Sequence, residues 1–327
     1  MRRVGFTTTI PLEVVVAAGA VPVDLNNVFI TNPESHSLIE DAELAGFPRN
    51  VCGWIKGIYG AVQASGLTEM IAVTEGDCSY TKALMEVLSL QGVRVYPFAY
   101  PAGRNPGQLK AEIEQLMGHL GVGWDEVRAA KVRLDRIRVK VHEIDRLTWQ
   151  EDRVTGEENH YFQVCTSDMN GDLDRFEAEV DAFLAQAPLR PARRDNIRLA
   201  YLGVPPIVSG LYGFLEGLSA RVVFNETQRQ FSMPNRCDDL VEQYLAYTYP
   251  YDIFHRVDDI VRELKARKVD GVIHYVQSFC FRQIEDMVLR KSISLPILTL
   301  EGDKPTSVDA RTKIRLEGFL ELLEDRC

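Results

Sequence analysis

Short apolar runs alternate with amphipathic stretches along the first hundred residues. Val4–Thr8 reads as a strand, Pro11–Ala20 as a helix opened by proline, and Val21–Asn26 as a second strand. A helix is expected at about Trp54–Ser65, then the strand Met70–Thr74, a helix near Tyr80–Leu90 and the strand Val93–Phe98. Strands separated by helices imply a parallel, doubly wound sheet, because parallel neighbours need a crossover between them. From Gln108 to about Ala187 the period is helical with charges on one side, and the Pro- and Arg-rich run Gln186–Asn196 reads as a linker. A second series follows: the strand Ile197–Gly203, a helix near Ile207–Leu218 and the strand Arg221–Asn225. Helices are expected around Asp238–Tyr247 and Asp252–Arg267, then the strand Gly271–Val276, a helix at Phe281–Lys291, the strand Pro296–Leu300 and a last helix at Arg311–Glu324. The pattern predicts an α/β protein with a first domain over 1–107, a helical segment and linker over 108–196, and a second α/β domain over 197–327.

The two α/β series echo each other. In each, an apolar strand is followed by a cysteine, a helix and another strand, and the interval from Cys78 to Val93 equals that from Cys280 to Leu295. An internal duplication accounts for this economically.

Composition narrows the class. The chain has 327 residues, enough for two domains, and 46% hydrophobic with 26% charged residues suits a globular protein. A net charge of −10 argues against nucleic-acid binding, which calls for a basic face. The start, Met1-Arg-Arg-Val-Gly-Phe6, has no signal-peptide apolar core, and no run approaches the roughly 18 apolar residues of a membrane span. A cytoplasmic location is therefore expected, where six cysteines serve as thiols or metal ligands rather than disulfides.

In open parallel sheets, ligands bind beyond the carboxyl ends of the strands. Cys78 lies there after Met70–Asp77, and Cys280 holds the equivalent place after Val272–Phe279; Cys52, in Arg49-Asn-Val-Cys-Gly-Trp54, precedes its own helix. Helix starts favour thiolate, the form that binds iron, and their N–H groups can donate to cluster sulfides. Three ligands leave one iron open for water or substrate. On spacing alone, with no CxxC pair, buried structural cysteine is the competing account.

The residues around these cysteines resemble the D-component family of 2-hydroxyglutaryl-CoA dehydratase, which is related to benzoyl-CoA reductase. The resemblance spans most of the chain: Ile10–Pro22, Asn50-Val-Cys-Gly-Trp54, Gly76-Asp-Cys-Ser-Tyr-Thr-Lys82, Asp270–Cys280, Leu295–Asp303 and Asp309–Phe319. It implies two Rossmann-like domains with a [4Fe-4S] cluster in the cleft between them, and carries the family's cluster ligands onto Cys52, Cys78 and Cys280. It also implies a paired subunit, as homodimer or heterodimer, and a separate ATP-hydrolysing activator that donates low-potential electrons. The chain itself has no Gly-x-x-x-x-Gly-Lys-[Ser/Thr] loop. The implied chemistry is anaerobic and reductive: one electron added to a thioester carbonyl lets a 2-hydroxyacyl-CoA expel its hydroxyl and acidifies the β-proton. Relatives with a double cubane carry further cysteines in the second domain, whereas Leu199–Pro205 and Val222–Gln228 have none, which favours a single cubane. A non-catalytic electron-relay or assembly subunit is the alternative, and a metal-free α/β binding protein is a third reading.

The remaining candidates carry less. Glu226, at a strand end beside Asn225, is a candidate proton-transfer carboxylate or iron ligand, against a capping role. Cys237 is a fourth ligand or a thiol just behind the ligands, against a non-ligand role; Cys165 reads as structural, and terminal Cys327 receives no role. His274 reads as a core histidine, and Arg311 and Arg315 as partners of acids near the last helix. The basic stretch Lys131–Lys140 is either a solvated helix face or a phosphate contact.

Overall fold

A computed structural model describes residues 1–193 and 197–325. Positions 194–196 of the expected linker, and Cys327, lie outside the described residues. The chain forms two compact units. Unit 1 comprises Met1–Val139, Cys165–Ala178 and Met233–Asp252; unit 2 comprises Lys140–Val164, Glu179–Ser232 and Ile253–Cys327.

In unit 1, β1 (Arg3–Phe6), β2 (Val21–Asp24), β3 (Glu69–Glu75) and β4 (Arg94–Ala99) make one sheet in the order β2-β1-β3-β4, with every neighbouring pair parallel. In unit 2 the strands are β5 (Ile197–Leu202), β6 (Val208–Ser209), β7 (Ala220–Asn225), β8 (Gly271–Gln277), β9 (Ile297–Gly302) and β10 (Thr306–Ser307). Four of them make a second parallel sheet in the order β7-β5-β8-β9, while β6 and β10 pair as a short parallel ribbon. The fold is thus α/β with parallel sheets and many helices. Taken in chain order within each sheet, both follow one scheme: first strand inside, second at the edge, third beside the first, fourth outermost. β3 and β8 hold equivalent places, as the duplicated pattern predicts.

Burial explains why apolar runs became these strands. All seven residues of β8 and all six of β7 are buried, as expected of parallel strands covered on both faces. In unit 2, Ala200, Val223, Phe224 and Val272 pack with Ile260, Leu264 and Leu289 from covering helices. Gly57 and Gly60 let the helix Gly53–Ser65 approach its neighbours closely: a Cβ at Gly60 would lie 2.4 Å from the Leu38 carbonyl oxygen, and one at Gly57 2.4 Å from the Phe29 ring.

Some expected elements shift. Val21–Asn26 ends as a strand at Asp24, whose carboxylate accepts from the Asn26 amide and opens the helix Leu25–Thr31. The start of the expected helix Ile207–Leu218 is β6, bound to β10, and the helix covers Leu211–Gly217. The expected helix Phe281–Lys291 begins as a 3₁₀ turn, Phe281–Glu285, and becomes α-helical over Asp286–Ser292. Among the described residues, no helix is long and apolar enough to cross a membrane.

Candidate functional site

Cys52 occupies the N-cap position of the helix Gly53–Ser65 and is buried. Its approach is fixed from beneath: the fully buried Lys56 ammonium donates to Glu43 Oε1 at 2.8 Å and to the Arg49 carbonyl at 3.3 Å, just ahead of the cysteine. Cys78 lies three residues past the end of β3, and its carbonyl accepts from the Thr81 amide at the start of the helix Thr81–Leu90. The turn between them needs glycine. Gly76 has φ 92°, and a Cβ there would meet the Pro250 carbonyl oxygen and Tyr100 Cβ, each at 2.8 Å.

Both cysteines sit at the same edge of the unit 1 sheet. The helix after Cys52 runs back toward the start of β3, and the helix after Cys78 runs back toward the start of β4, so both begin at the carboxyl edge. They are also neighbours. Gln63 Nε2 donates to Gln91 Oε1 at 2.8 Å, and Gln91 Nε2 donates to the Tyr59 hydroxyl at 2.8 Å. Counting back from that junction, Cys52 and Thr81 are each roughly 15 Å of helical rise away, at about 1.5 Å per residue. Two buried donors occur in the first turns of the two helices without a hydrogen-bond acceptor among the described residues: the Trp54 indole N–H and the hydroxyl of the fully buried Thr81. Sequence reasoning did not single them out, because the signal is burial without a partner.

In unit 2, Cys280 lies three residues past β8, at the N-cap of the 3₁₀ turn Phe281–Glu285. The residue before it, Phe279, has φ 63°, a conformation that is costly for an aromatic residue and marks a locally strained turn. Hydrogen bonds pin the strand end beneath it. The Ser278 amide donates to the Gly302 carbonyl at 2.9 Å, and Gln277 Nε2 donates to the Asp303 carbonyl at 2.9 Å. Five of the six cysteines, Cys52, Cys78, Cys165, Cys237 and Cys280, are thiols rather than disulfides. Among the described residues, no group of three or more His, Cys, Asp or Glu side chains is arranged to hold a metal ion.

Glu226 begins the helix Glu226–Phe231 and is 1% exposed. Arg256 donates to both its oxygens, Nε to Oε1 at 3.1 Å and Nη2 to Oε2 at 3.0 Å, and the Gly203 amide and Thr227 hydroxyl add to Oε2. Burial alone raises this carboxyl's pKa, but Arg256 overcomes that and leaves it below the ordinary range. This setting favours the ionised form of Glu226, the form that accepts a proton rather than donates one. Arg256 also donates to Glu285 Oε2 at 2.6 Å, and Arg282 donates to Glu285 Oε1, so the ion-pair chain reaches the turn after Cys280.

The other candidates fall elsewhere. His274 is buried, and its Nδ1 bonds Asp286 Oδ1 at 2.7 Å. Arg315 donates to the Thr299 carbonyl rather than to an acid. Cys237 is partly exposed, and burial together with Glu242 pushes its thiol up, away from thiolate. The basic stretch is largely paired with acids: Arg133 with Asp174, Arg136 with Glu177, Arg138 with buried Glu13, and Lys140 with Asp181. Unit 1 also has a cavity of about 500 Å³ with mixed walls, Lys110, Arg128 and Lys131 together with Asp238, Asp239 and Glu242.

Parallel sheets carrying reduced cysteines just past their carboxyl edges define an α/β protein whose chemistry belongs at the strand ends. The chain belongs to the 2-hydroxyglutaryl-CoA dehydratase D-component family, whose model matches residues 7–323. A search of curated proteins finds no match. Membership assigns a dehydratase-like role at the level of the family.

Proposed function

We propose that the protein is the iron–sulfur component of a 2-hydroxyacyl-CoA dehydratase or related acyl-CoA reductase, with Cys52, Cys78 and Cys280 as ligands of one [4Fe-4S] cluster. The observation that carries this reading is that Cys52 and Cys78 both lie at the carboxyl edge of one parallel sheet, Cys52 capping the helix Gly53–Ser65 and Cys78 three residues before the helix Thr81–Leu90. Cys280, past the equivalent strand of the second sheet, supplies the third thiolate. The donor set fits: three soft sulfur ligands suit iron, and backbone N–H groups at helix starts stabilise negative charge on them. When bound, such a cluster supplies one-electron reduction and a Lewis-acidic iron.

The chain's own residues provide the setting. Gly76 allows the tight turn that presents Cys78, and Lys56 fixes the segment that presents Cys52. Glu226 acts through Arg256 and Glu285 as a positioning residue for the Cys280 turn. Two Rossmann-like domains, a partner subunit of the same or a related chain, and an ATP-dependent activator that delivers the electrons complete the reading; the substrate is an acyl-CoA-type thioester.

The test is iron and sulfide analysis with EPR after anoxic purification. Near-equal iron and sulfide is expected in the wild type, and loss of the cluster in each of Cys52→Ala, Cys78→Ala and Cys280→Ala. Full iron retention in any one variant would overturn that ligand assignment. Addition of an acyl-CoA should shift the EPR signal. An unchanged signal would favour an electron-relay subunit instead.

A further inference from the structure

Four large apolar side chains around Cys280, those of Phe279, Phe281, Ile284 and Met287, are each between 46% and 67% exposed. Phe281, Ile284 and Met287 recur every third residue through the 3₁₀ turn and into the helix Asp286–Ser292, which sets them on one face. Single exposed apolar residues are ordinary, but a stripe of them marks a binding surface. The stripe is also held in place. Phe279 takes a left-handed φ of 63°, a strain that little packing offsets, since the ring is half exposed. The Arg282 guanidinium lies 5.3 Å from the Phe281 ring centroid and donates to Glu285 Oε1 at 3.1 Å, which braces that ring. Size and charge then identify the occupant. At roughly 200 Å² for a whole large side chain, the four expose about 400 Å². That is about half of the ~800 Å² that each side of a stable protein interface buries, and it suits a small molecule. The arginines tied to this segment are committed to acids: Arg256 to Glu226 and Glu285, Arg282 to Glu285, and Arg290 to Asp286. Glu301 adds a further carboxylate, which accepts from the Ser278 hydroxyl at 2.9 Å. An apolar group gains from this surface, and another carboxylate is repelled by it.

We propose that this stripe is the wall on which the acyl group of the thioester lies, and that it selects acyl groups ending in an aryl ring or a branched alkyl chain over those ending in a carboxylate. The inference rests on the function proposed above, which puts the thioester beside the centre that Cys280 helps to hold. Phe279 and Phe281 flank that cysteine in sequence, and Ile284 and Met287 extend the apolar face along the helix that follows. None of the four ligates iron. They determine which acyl group is accepted.

The experiment compares wild type, Phe281→Ser, Ile284→Ser and, as an exposed apolar control in unit 1, Leu90→Ser. Full-length chains are reconstituted anoxically with ferrous iron and sulfide, and iron content and oligomeric state are read for each. Dissociation constants of phenylacetyl-CoA, isovaleryl-CoA, glutaryl-CoA and free CoA are measured by anoxic calorimetry. Wild type should bind phenylacetyl-CoA and isovaleryl-CoA about tenfold more tightly than glutaryl-CoA, or better. Phe281→Ser and Ile284→Ser should each reduce that preference several-fold by weakening the two apolar thioesters, with glutaryl-CoA, free CoA and iron content unchanged. Leu90→Ser should behave as wild type. Equal or tighter binding of glutaryl-CoA by iron-loaded wild type would overturn the inference and leave the cluster reading intact. An unchanged preference in iron-loaded Phe281→Ser and Ile284→Ser would do the same. A change of oligomeric state without a change of preference would mark a protein-docking surface and also overturn it. If one stripe variant loses iron, the other decides, and iron loss in both refutes the assignment to specificity. An iron-loaded wild type that binds none of the thioesters refutes the acyl-CoA reading together with the inference, and a wild type that binds no iron refutes the cluster reading on which both stand.

Discussion

Arg256 holds two carboxylates at once, Glu226 at the end of β7 and Glu285 in the turn after Cys280, and is itself 2% exposed. Arg256→Met would leave Glu226 charged and buried, at a cost of about 3–5 kcal/mol, because breaking one side of a buried pair strands the other. Denaturant unfolding should show this loss, and iron content should fall with it. The opposite situation occurs in unit 1, where Asp24 and Asp168 are buried together and Asp168 Oδ2 accepts from the Asp24 amide at 2.9 Å. Burial, and then the neighbouring Asp24 charge, push Asp168 up to about 7, and burial pushes Asp24 up as well. The native state therefore keeps a proton that the unfolded chain releases near pH 4. Stability should fall as pH rises from about 4 to about 7 and level off above. Asp168→Asn should remove most of that fall, which chemical denaturation of both proteins at pH 5 and pH 8 will show. At this scale the sequence was partly legible. The sequence set Cys78 and Cys280 just past apolar strands, where the structure has them, but the partner of Glu226, Arg256, lies thirty residues away and gives no local sign.

At the level of elements, apolar runs were read well and their ends poorly. The strand beginning at Val21 stops at Asp24 because a capping carboxylate outweighs continued extension, and that step hid the helix Leu25–Thr31. The β6–β10 pairing joins segments nearly a hundred residues apart, which no local period reveals. The pairs Arg133–Asp174 and Arg136–Glu177 share one offset, so the acids of the helix Leu173–Gln186 repeat the spacing of the basic stretch. That match was visible in the sequence, yet only when two distant segments are compared. Close helix contact yields its own test. Gly60→Ala would drive a methyl into the Leu38 carbonyl and force the helix that begins after Cys52 away from the helix Ser35–Leu44. A loss of about 1–3 kcal/mol, typical of overpacking, is expected by thermal or denaturant unfolding, with weaker iron retention.

On the scale of the whole chain, unit 1 is assembled from three separate stretches. Its late segment is integral: Gln243 and Tyr244 hydrogen-bond the fully buried Glu13 at 2.9 and 2.8 Å, alongside Arg138. A fragment of residues 1–193 would leave that ion pair and the Tyr100 ring without their cover. It should lack a cooperative unfolding transition by circular dichroism, although it contains every strand of the first sheet. A sharp transition in that fragment would refute the expectation.

The same threading imposes an order on biogenesis. Cys52 and Cys78 leave the ribosome long before residues 233–252, whose arrival completes the shell around Glu13 and the Gly76 turn. If the proposed cluster forms, its loading follows translation of most of the chain, and the nascent thiols must stay reduced through that interval.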